Sequence, residues 1–376
     1  MPADTMPADA PTTVPPPHAP PPHAPVPHAS DTPARQAFYD RISQQNLAPL
    51  WTSLAALVTP EPISPCQPAS WRFADIRAAM MEAGALITAK EAERRVLVLE
   101  NPGLRGQSRI TTSLYAGVQL VLPGEVAPAH RHTQSALRFV LEGSGAYTAV
   151  NGERTVMHEG DFIITPPMAW HDHGNPSSEP IFWLDGLDIP VVQFLDASFA
   201  EHGDADEQPV TRPLGDSDAR YGANLLPVDH AGGGGSSPVF NYPYARTRDA
   251  LERMRRQDAW DACHGLKMRY SNPVTGGHAM ATMGTFVQLL PAGFATAAYR
   301  STDATVFAPI EGQGRSTITR RDGGEVTVEW TKRDLFVVPS WHRVRHHAAT
   351  DSVLFSFSDR PIQQALHLFR EDRGNA

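Results

Sequence analysis

Between Pro128 and Val150 the chain reads PAHRHTQSALRFVLEGSGAYTAV. His130 and His132 stand one residue apart in a stretch that reads as β-strand. Side chains at i and i+2 of a strand leave the same face, so the two imidazoles enter one space. Neutral imidazole is the commonest protein metal ligand, and two aimed together make half of a metal site. The chain then crosses LRFVLEGSGAYTAVNGERTVMHEGDFIITPP and reaches WHDHGN at 170–175. A barrel built from hairpins returns a later strand beside an earlier one, which makes His171 the third candidate ligand.

Such a site needs a rigid scaffold, and the surrounding sequence supplies one. From residue 111 to 175, short apolar segments rich in β-formers are separated by Pro-Gly, Glu-Gly and Asn-Gly turns, the pattern of a small antiparallel barrel. Strand-like texture returns after residue 251 as a repeat. VQLVLPGEVAPAHRHTQSALRFVLEGSG (118–145) aligns without a gap onto VQLLPAGFATAAYRSTDATVFAPIEGQG (287–314), which a duplicated barrel explains. The second copy carries Tyr299 and Ser301 in place of His130 and His132, and Trp341-His342 near the place of Trp170-His171. His342, His346 and His347 form a rival cluster there, but the lost pair argues against a second metal centre.

Five segments are expected. Residues 1–34 form a Pro/His/Ala-rich tail too poor in apolar surface to fold alone, with His18, His23 and His28 spaced by five. Residues 35–93 are a helical segment, and 94–201 the metal-binding barrel, opening with the strand-like RRVLVLEN. Residues 202–250 are a linker with four glycines at 232–235, lacking the lysine of a phosphate loop. Residues 251–376 are a second, degenerate barrel without metal. The 376 residues carry a formal charge of −9, which argues against a broad nucleic-acid or anionic-membrane surface. Two cysteines give no disulfide framework, and no signal peptide or membrane-length apolar run is evident. A cytoplasmic, soluble protein is expected.

The motifs narrow the class. Gly124, five residues and His130-X-His132, then Gly160, five residues and Pro166, then His171, three residues and Asn175, resemble the two motifs of the cupin barrels. Many cupins place a glutamate ligand five or six residues after the histidine pair; here Leu137 and Arg138 stand there. Arginine cannot ligate a cation, so the triad is three neutral histidines that leave a divalent charge uncompensated and coordination positions open. A dianionic chelator, such as a carboxylate beside a phenolate, would neutralise that charge. Arg138 would then grip the carboxylate through charge-assisted hydrogen bonds, or else serve a structural ion pair.

HRHTQSALRFVLEGSGAYT, GDFIITPPMAWHDHGN and WLDGLDIP further resemble the gentisate 1,2-dioxygenase family, which includes salicylate and 1-hydroxy-2-naphthoate dioxygenases. The resemblance spans residues 40 to 370 and implies a mainly β bicupin: two antiparallel jelly-roll barrels with N-terminal helices. It also implies one Fe(II) per subunit on His130, His132 and His171, and a homotetramer. The implied reaction opens gentisate with O2 to maleylpyruvate, between the carboxylate-bearing and the adjacent hydroxylated carbon. Arg94 matches a family arginine for the substrate carboxylate; its neighbour Arg95 points oppositely on a strand. Gln119 matches a pocket residue beside the ring, although Gln288 repeats it in the second copy, which also suits a shared structural role. Tyr115 matches a pocket wall or aromatic core. His173 is a proton donor to substrate or oxygen, or a supporting histidine. Asp185 contacts a second ring hydroxyl, or serves a strand-end turn. Asn175 reads as a turn or orienting residue. Salicylate or 1-hydroxy-2-naphthoate is the alternative substrate, and a non-catalytic small-molecule binder the alternative class. The chain shows no basic recognition helix to serve such a sensor as an output module.

Overall fold

The structure is a computed structural model describing residues 32–230, 235–256 and 260–374. His18, His23, His28 and Gly232 to Gly234 lie outside the described residues. The chain divides into a small unit ending at Pro60 and a compact unit from Glu61 to Ala376. No helix among the described residues is long and apolar enough to cross a membrane.

The small unit contains α1 (Pro33–Ser43) and α2 (Leu50–Leu57). Thr32 caps α1 by accepting from the Arg35 amide, and Pro33 occupies its first turn. Trp51 Nε1 donates to Tyr39 OH at 3.0 Å, tying the two helices together. Neither helix buries a side chain, although α2 reads LWTSLAAL.

The compact unit opens with β1 (Ala69–Trp71), α3 (Phe73–Leu86), α4 (Ala89–Ala92) and β2 (Val96–Val98). Eight strands follow: β3 (Tyr115–Val121), β4 (Val126–His132), β5 (Ala136–Glu142), β6 (Tyr147–Val150), β7 (Glu153–Val156), β8 (Phe162–Thr165), β9 (His171–Gly174) and β10 (Ile181–Leu187). Next come α5 (Ile189–Phe194), β11 (Ala200–His202), β12 (Asn241–Tyr242) and α6 (Tyr244–Arg255). The remainder is β13 (Leu266–Arg269), β14 (Gly284–Leu290), β15 (Arg300–Ser301), β16 (Thr305–Glu311), β17 (Gln313–Thr319), β18 (Glu325–Thr331), β19 (Leu335–Val338), β20 (Arg343–Ala348), β21 (Ser352–Ser358), α7 (Arg360–Ala365) and β22 (Glu371–Asp372).

Sheets β12-β8-β5-β10-β3-β2 and β11-β4-β9-β6-β7 face each other as the first jelly roll. Sheets β1-β19-β16-β21-β14-β13 and β18-β17-β20 build the second, with β15 paired to β22. Strand alternation then sorts side chains. On β3, Ala116, Val118 and Leu120 enter the core shared by the two barrels, while Tyr115, Gly117, Gln119 and Val121 face the lumen of the first. Phe139 of β5 and Phe355 of β21 stack in the shared core, with centroids 4.1 Å apart and rings 6° from parallel.

The duplication is deeper than the aligned segment. Each copy opens with a strand and a helix, β1–α3 and β12–α6, and each of these strands pairs with the other barrel: β1 with β19, β12 with β8. The first amide of each helix is also bound across: Phe73 N donates to Asp334 Oδ1 and Tyr244 N to Asp161 Oδ1, both at 2.8 Å. This corrects two expected boundaries. Segment 35–93 is not one helical piece, because α3 buries Phe73, Ile76 and Met80 in the compact unit while α2 buries nothing. Segment 202–250 is not only a linker, because it holds β12 and the start of α6.

Candidate active site

His130 and His132 lie on β4 and His171 on β9. These strands pair antiparallel with Ala127 opposite His173 and His130 opposite His171. The register slips by one residue between the two pairs, so β4 carries a bulge at Pro128–Ala129. Pro128 has no amide to give the ladder, and Ala129 bonds instead to the Gly203–Asp206 segment, accepting from Gly203 N and donating to Asp206 O. An unbulged strand would place Ala129, not His130, opposite His171. The bulge thus turns His130 and His132 into the lumen.

The ring centroids lie 4.1 Å apart for His130–His171, 4.9 Å for His132–His171 and 5.3 Å for His130–His132. One ring nitrogen of each falls within 4.8 Å of the others, forming a metal-ligand group. Nδ1 of His132 and of His171 donates to a backbone carbonyl two residues away, Gln134 O (3.0 Å) and Ala169 O (2.9 Å) respectively, while His130 Nδ1 lies 3.3 Å from Pro128 O and also against the Arg94 guanidinium. The bonds of His132 and His171 fix the tautomer that leaves Nε2 as the ligand atom. His171 Nε2 is fully buried with no partner, a polar atom that a bound cation would satisfy. Burial, with Arg94 and Arg138 nearby, pushes His130 down to about 2 and His132 to about 4; burial holds His171 well below the usual histidine range. All three are therefore neutral ligands near pH 7. The residues fit a divalent metal.

The opposite sheet lines the lumen with the other expected residues. Arg138 on β5 pairs in register with Asp185 on β10, and both are buried. Arg138 Nη1 donates to Thr165 Oγ1 at 2.7 Å, while its Nε stands 3.8 Å from Asp185 Oδ1 and has no hydrogen-bond partner. Asp185 Oδ1 accepts from Trp183 Nε1 at 3.0 Å. Burial raises the Asp185 carboxyl to about 6 against the pull of Arg138. Gly117 lies directly opposite Asp185; a methyl on it would meet Val96 Cγ1 at 2.5 Å and Tyr115 OH at 2.9 Å, so this close approach requires glycine. Burial raises the Tyr115 phenol, keeping it protonated. Gln119 is buried yet makes no side-chain hydrogen bond among the described residues, whereas Gln288 donates to His264 O at 2.8 Å. The two glutamines are equivalent in place but not in bonding.

Arg94 and Arg95 separate as alternation expects. Arg94 Nη2 donates to Pro128 O at 2.7 Å, and its guanidinium lies against the His130 ring. Arg95 turns away into a two-pronged ion pair with Glu125, at 2.7 and 2.8 Å. His173 is buried, with Nδ1 3.0 Å from Thr148 Oγ1 and its ring edge-on to Trp183. Asn175 ties its turn, donating to Val121 O and Glu179 O. Thr148, Thr165 and Trp183 escaped the motif reading; their signal was alternation, since each faces inward beside a chemical residue.

One equivalence is corrected. In the first barrel Thr148 pairs with His173 and Val150 with His171; in the second, Ser316 pairs with His346 and Ile318 with Val344. Tyr299 likewise opposes Val344 as His130 opposes His171. Val344, not His342, therefore holds the place of His171. The Trp-His dipeptide misleads because the second copy displaces it by two residues relative to the ladder. His346 is the counterpart of His173, down to a 2.8 Å contact with Ser316 Oγ.

A cupin domain matches residues 117–187. A gentisate 1,2-dioxygenase from Aquipseudomonas alcaligenes is 59% identical over 342 residues, covering 91% of this chain and 97% of that protein. A 1-hydroxy-2-naphthoate 1,2-dioxygenase from Nocardioides sp. (strain KP7) is 35% identical, over 90% and 87%. The crystal structure of a salicylate 1,2-dioxygenase from Pseudoaminobacter salicylatoxidans, with gentisate, superposes with a TM-score of 0.86 at 35% identity, over 93% and 96% of the two chains. This chain belongs to the gentisate 1,2-dioxygenase family of ring-cleaving cupin dioxygenases.

Proposed function

We propose that the protein opens gentisate with O2 to maleylpyruvate, breaking the bond between the carboxylate-bearing carbon and its hydroxylated neighbour. His130, His132 and His171 would hold one Fe(II) per subunit. The observation that carries this reading is the convergence, in one lumen, of three neutral histidines with the unpartnered Nε of buried Arg138. Bound there, Fe(II) supplies the Lewis acidity and electron transfer that bring a chelating hydroxy acid and O2 to reaction.

The chain's own groups position and neutralise. Arg138 Nε, buried and without a hydrogen bond, would donate to the substrate carboxylate, with Thr165 and Asp185 holding the guanidinium. Arg94 adds a second cation beside His130. Asp185, largely ionised at neutral pH, accepts from the ring hydroxyl para to the chelated one. Gln119 and Tyr115 flank the ring. His173 handles a proton at Nε2 while Thr148 fixes the ring through Nδ1. A broader reading, with salicylate or 1-hydroxy-2-naphthoate also opened, is favoured by the salicylate dioxygenase seen with gentisate. We read 94–201 as the metal-bearing barrel, 251–376 as the metal-free one, and the assembly as a homotetramer. The exposed apolar side chains Leu50, Trp51, Leu54 and Leu57 support association. The free, buried Cys66 and Cys263 suit a cytoplasmic setting.

The test is O2 uptake by Fe(II)-loaded protein, separately with gentisate, salicylate and 1-hydroxy-2-naphthoate, against a His130→Ala control. Rapid uptake with gentisate that the control abolishes is expected. Uptake confined to the monohydroxylated acids would move the assignment to them. No uptake with any of the three, despite bound iron, would sink it.

A further inference from the structure

The second barrel lost one set of charges and acquired another. Gln119 pairs with Val96 and Trp183 in the first barrel; Gln288 pairs with Lys267 and Leu354 in the second. Lys267 therefore stands where Val96 stands. The Arg138–Asp185 pair is replaced by Phe307–Ser356. Around Tyr299, Ser301 and Val344, in place of the triad, the free volume is only ≈ 10 Å³, room for a single water at most. The site equivalent to the metal centre is filled, but a cation has appeared on β13.

That cation lines a separate cavity of ≈ 480 Å³, whose walls include His264, Lys267, His278, Phe286, Arg360 and Gln364. The other charges here are spoken for. Arg360 Nε binds Asp303 Oδ2 at 3.0 Å, and Glu371 binds His264 at 3.3 Å and Arg373 at 3.6 Å. Arg269 donates to Gly276 O at 2.8 Å. Lys267 makes no hydrogen bond or ion pair among the described residues; its ammonium lies 4.9 Å from the Phe286 centroid. The Arg360 guanidinium stands 5.2 Å from the same ring, so Phe286 is fixed by two cations. Gln288 Oε1 and His264 Nδ1 are buried without partners nearby. Burial and Arg360 lower the Lys267 ammonium to about 8, which leaves it mostly charged at neutral pH. Lys267 is half-buried on the wall of an open cavity, and no carboxylate forms an ion pair with its ammonium among the described residues.

We propose that this cavity is a second ligand site, taking a small organic monocarboxylate whose anion pairs with Lys267 and whose apolar body lies beside Phe286. The volume suits a molecule of one ring. The site stands apart from the triad and does not depend on which acid the first barrel opens.

The probe is benzoate, which lacks the ortho-hydroxyl needed for chelation, titrated calorimetrically into the iron-loaded full chain. Wild type, Lys267→Met, Lys267→Arg and Arg138→Leu are compared, each checked for folding by circular dichroism. Expected is binding that survives Arg138→Leu and Lys267→Arg but weakens at least about tenfold in Lys267→Met. No binding to wild type, equal binding to Lys267→Met, equal loss in both Lys267 variants, or loss confined to Arg138→Leu would overturn the proposal.

Discussion

His130 opposes His171 across β4 and β9 because one extra residue at Pro128–Ala129 reverses the parity of β4. Deleting Ala129 alone should leave a regular ladder with His130 still opposite His171, whereas deleting Pro128 and Ala129 together sets His130 opposite Asp172 and should turn both β4 histidines outward. The expected result is loss of bound metal in the double deletion, by at least about 100-fold in affinity, with strand content retained, and little loss in the single one. Metal analysis after gel filtration, beside far-ultraviolet circular dichroism, measures both. A double-deletion variant that keeps its metal would refute the bulge argument.

Arg94 and Arg95 make adjacent predictions of opposite kind. Arg95→Ala strands Glu125 and should cost about 3 kcal/mol of stability with little change in KM. Arg94→Ala, beside His130, should leave the unfolding midpoint almost unmoved and raise KM for gentisate about tenfold or more. Urea unfolding and steady-state kinetics on both variants decide it; exchanged phenotypes would mean the strand faces inward the other way.

How much of this was legible without coordinates depends on the range of the physics. The triad was, because i, i+2 on a strand and the return of a hairpin are local rules that His130, His132 and His171 obey. Tyr115, Gln119 and Asp185 came from the family resemblance and Arg138 from its spacing after the histidine pair; alternation separated only Arg94 from Arg95. The exchange of β1 and β12 between barrels was not legible, since two- and three-residue strands carry too little pattern to reveal distant partners. Nor was the equivalence of His346 with His173. A Trp-His dipeptide at 341–342 is a stronger visual match than a ladder register that only the paired strands define.

That same equivalence yields a prediction for His173. Thr148–His173 and Ser316–His346 recur at one register in both barrels, although only the first has the triad. Part of the role of His173 is therefore to hold the barrel. Thr148→Val and Ser316→Ala should each cost about 1 kcal/mol in denaturant unfolding, and Thr148→Val should keep its iron. A fall in kcat beyond about tenfold in Thr148→Val alone, at unchanged iron content, would indicate that Thr148 also sets the proton-handling geometry of His173.

The crossed helix caps should stabilise the fold independently of each other. Asp334 accepts from the first amide of α3, and Asp161 from that of α6. Either aspartate to alanine should cost about 1 kcal/mol, with the two losses additive because the caps share no partner. A double variant markedly less or more stable than the sum would show that the two exchanges act as one unit.

Asp185 supplies a pH signature. Burial raises its carboxyl from the ordinary 3.8 to about 6, with Arg138 opposing. Between about pH 4 and pH 6 the folded protein holds a proton that the unfolded chain has released, so this group favours folding on the acid side. That contribution fades as pH rises through about 6, leaving the cost of a buried carboxylate. Asp185→Asn removes the cost: relative to wild type it should gain stability above pH 6, by up to about 3 kcal/mol, and gain little below pH 4. Asp359, also raised to about 6, remains in both proteins and cancels in the comparison. The histidines with depressed values push the total curve the other way, so only the difference between the two proteins is diagnostic. Urea unfolding at intervals from pH 4 to pH 8 gives that difference directly. A constant offset across the window would mean that Asp185 is ionised throughout, with Arg138 outweighing its burial.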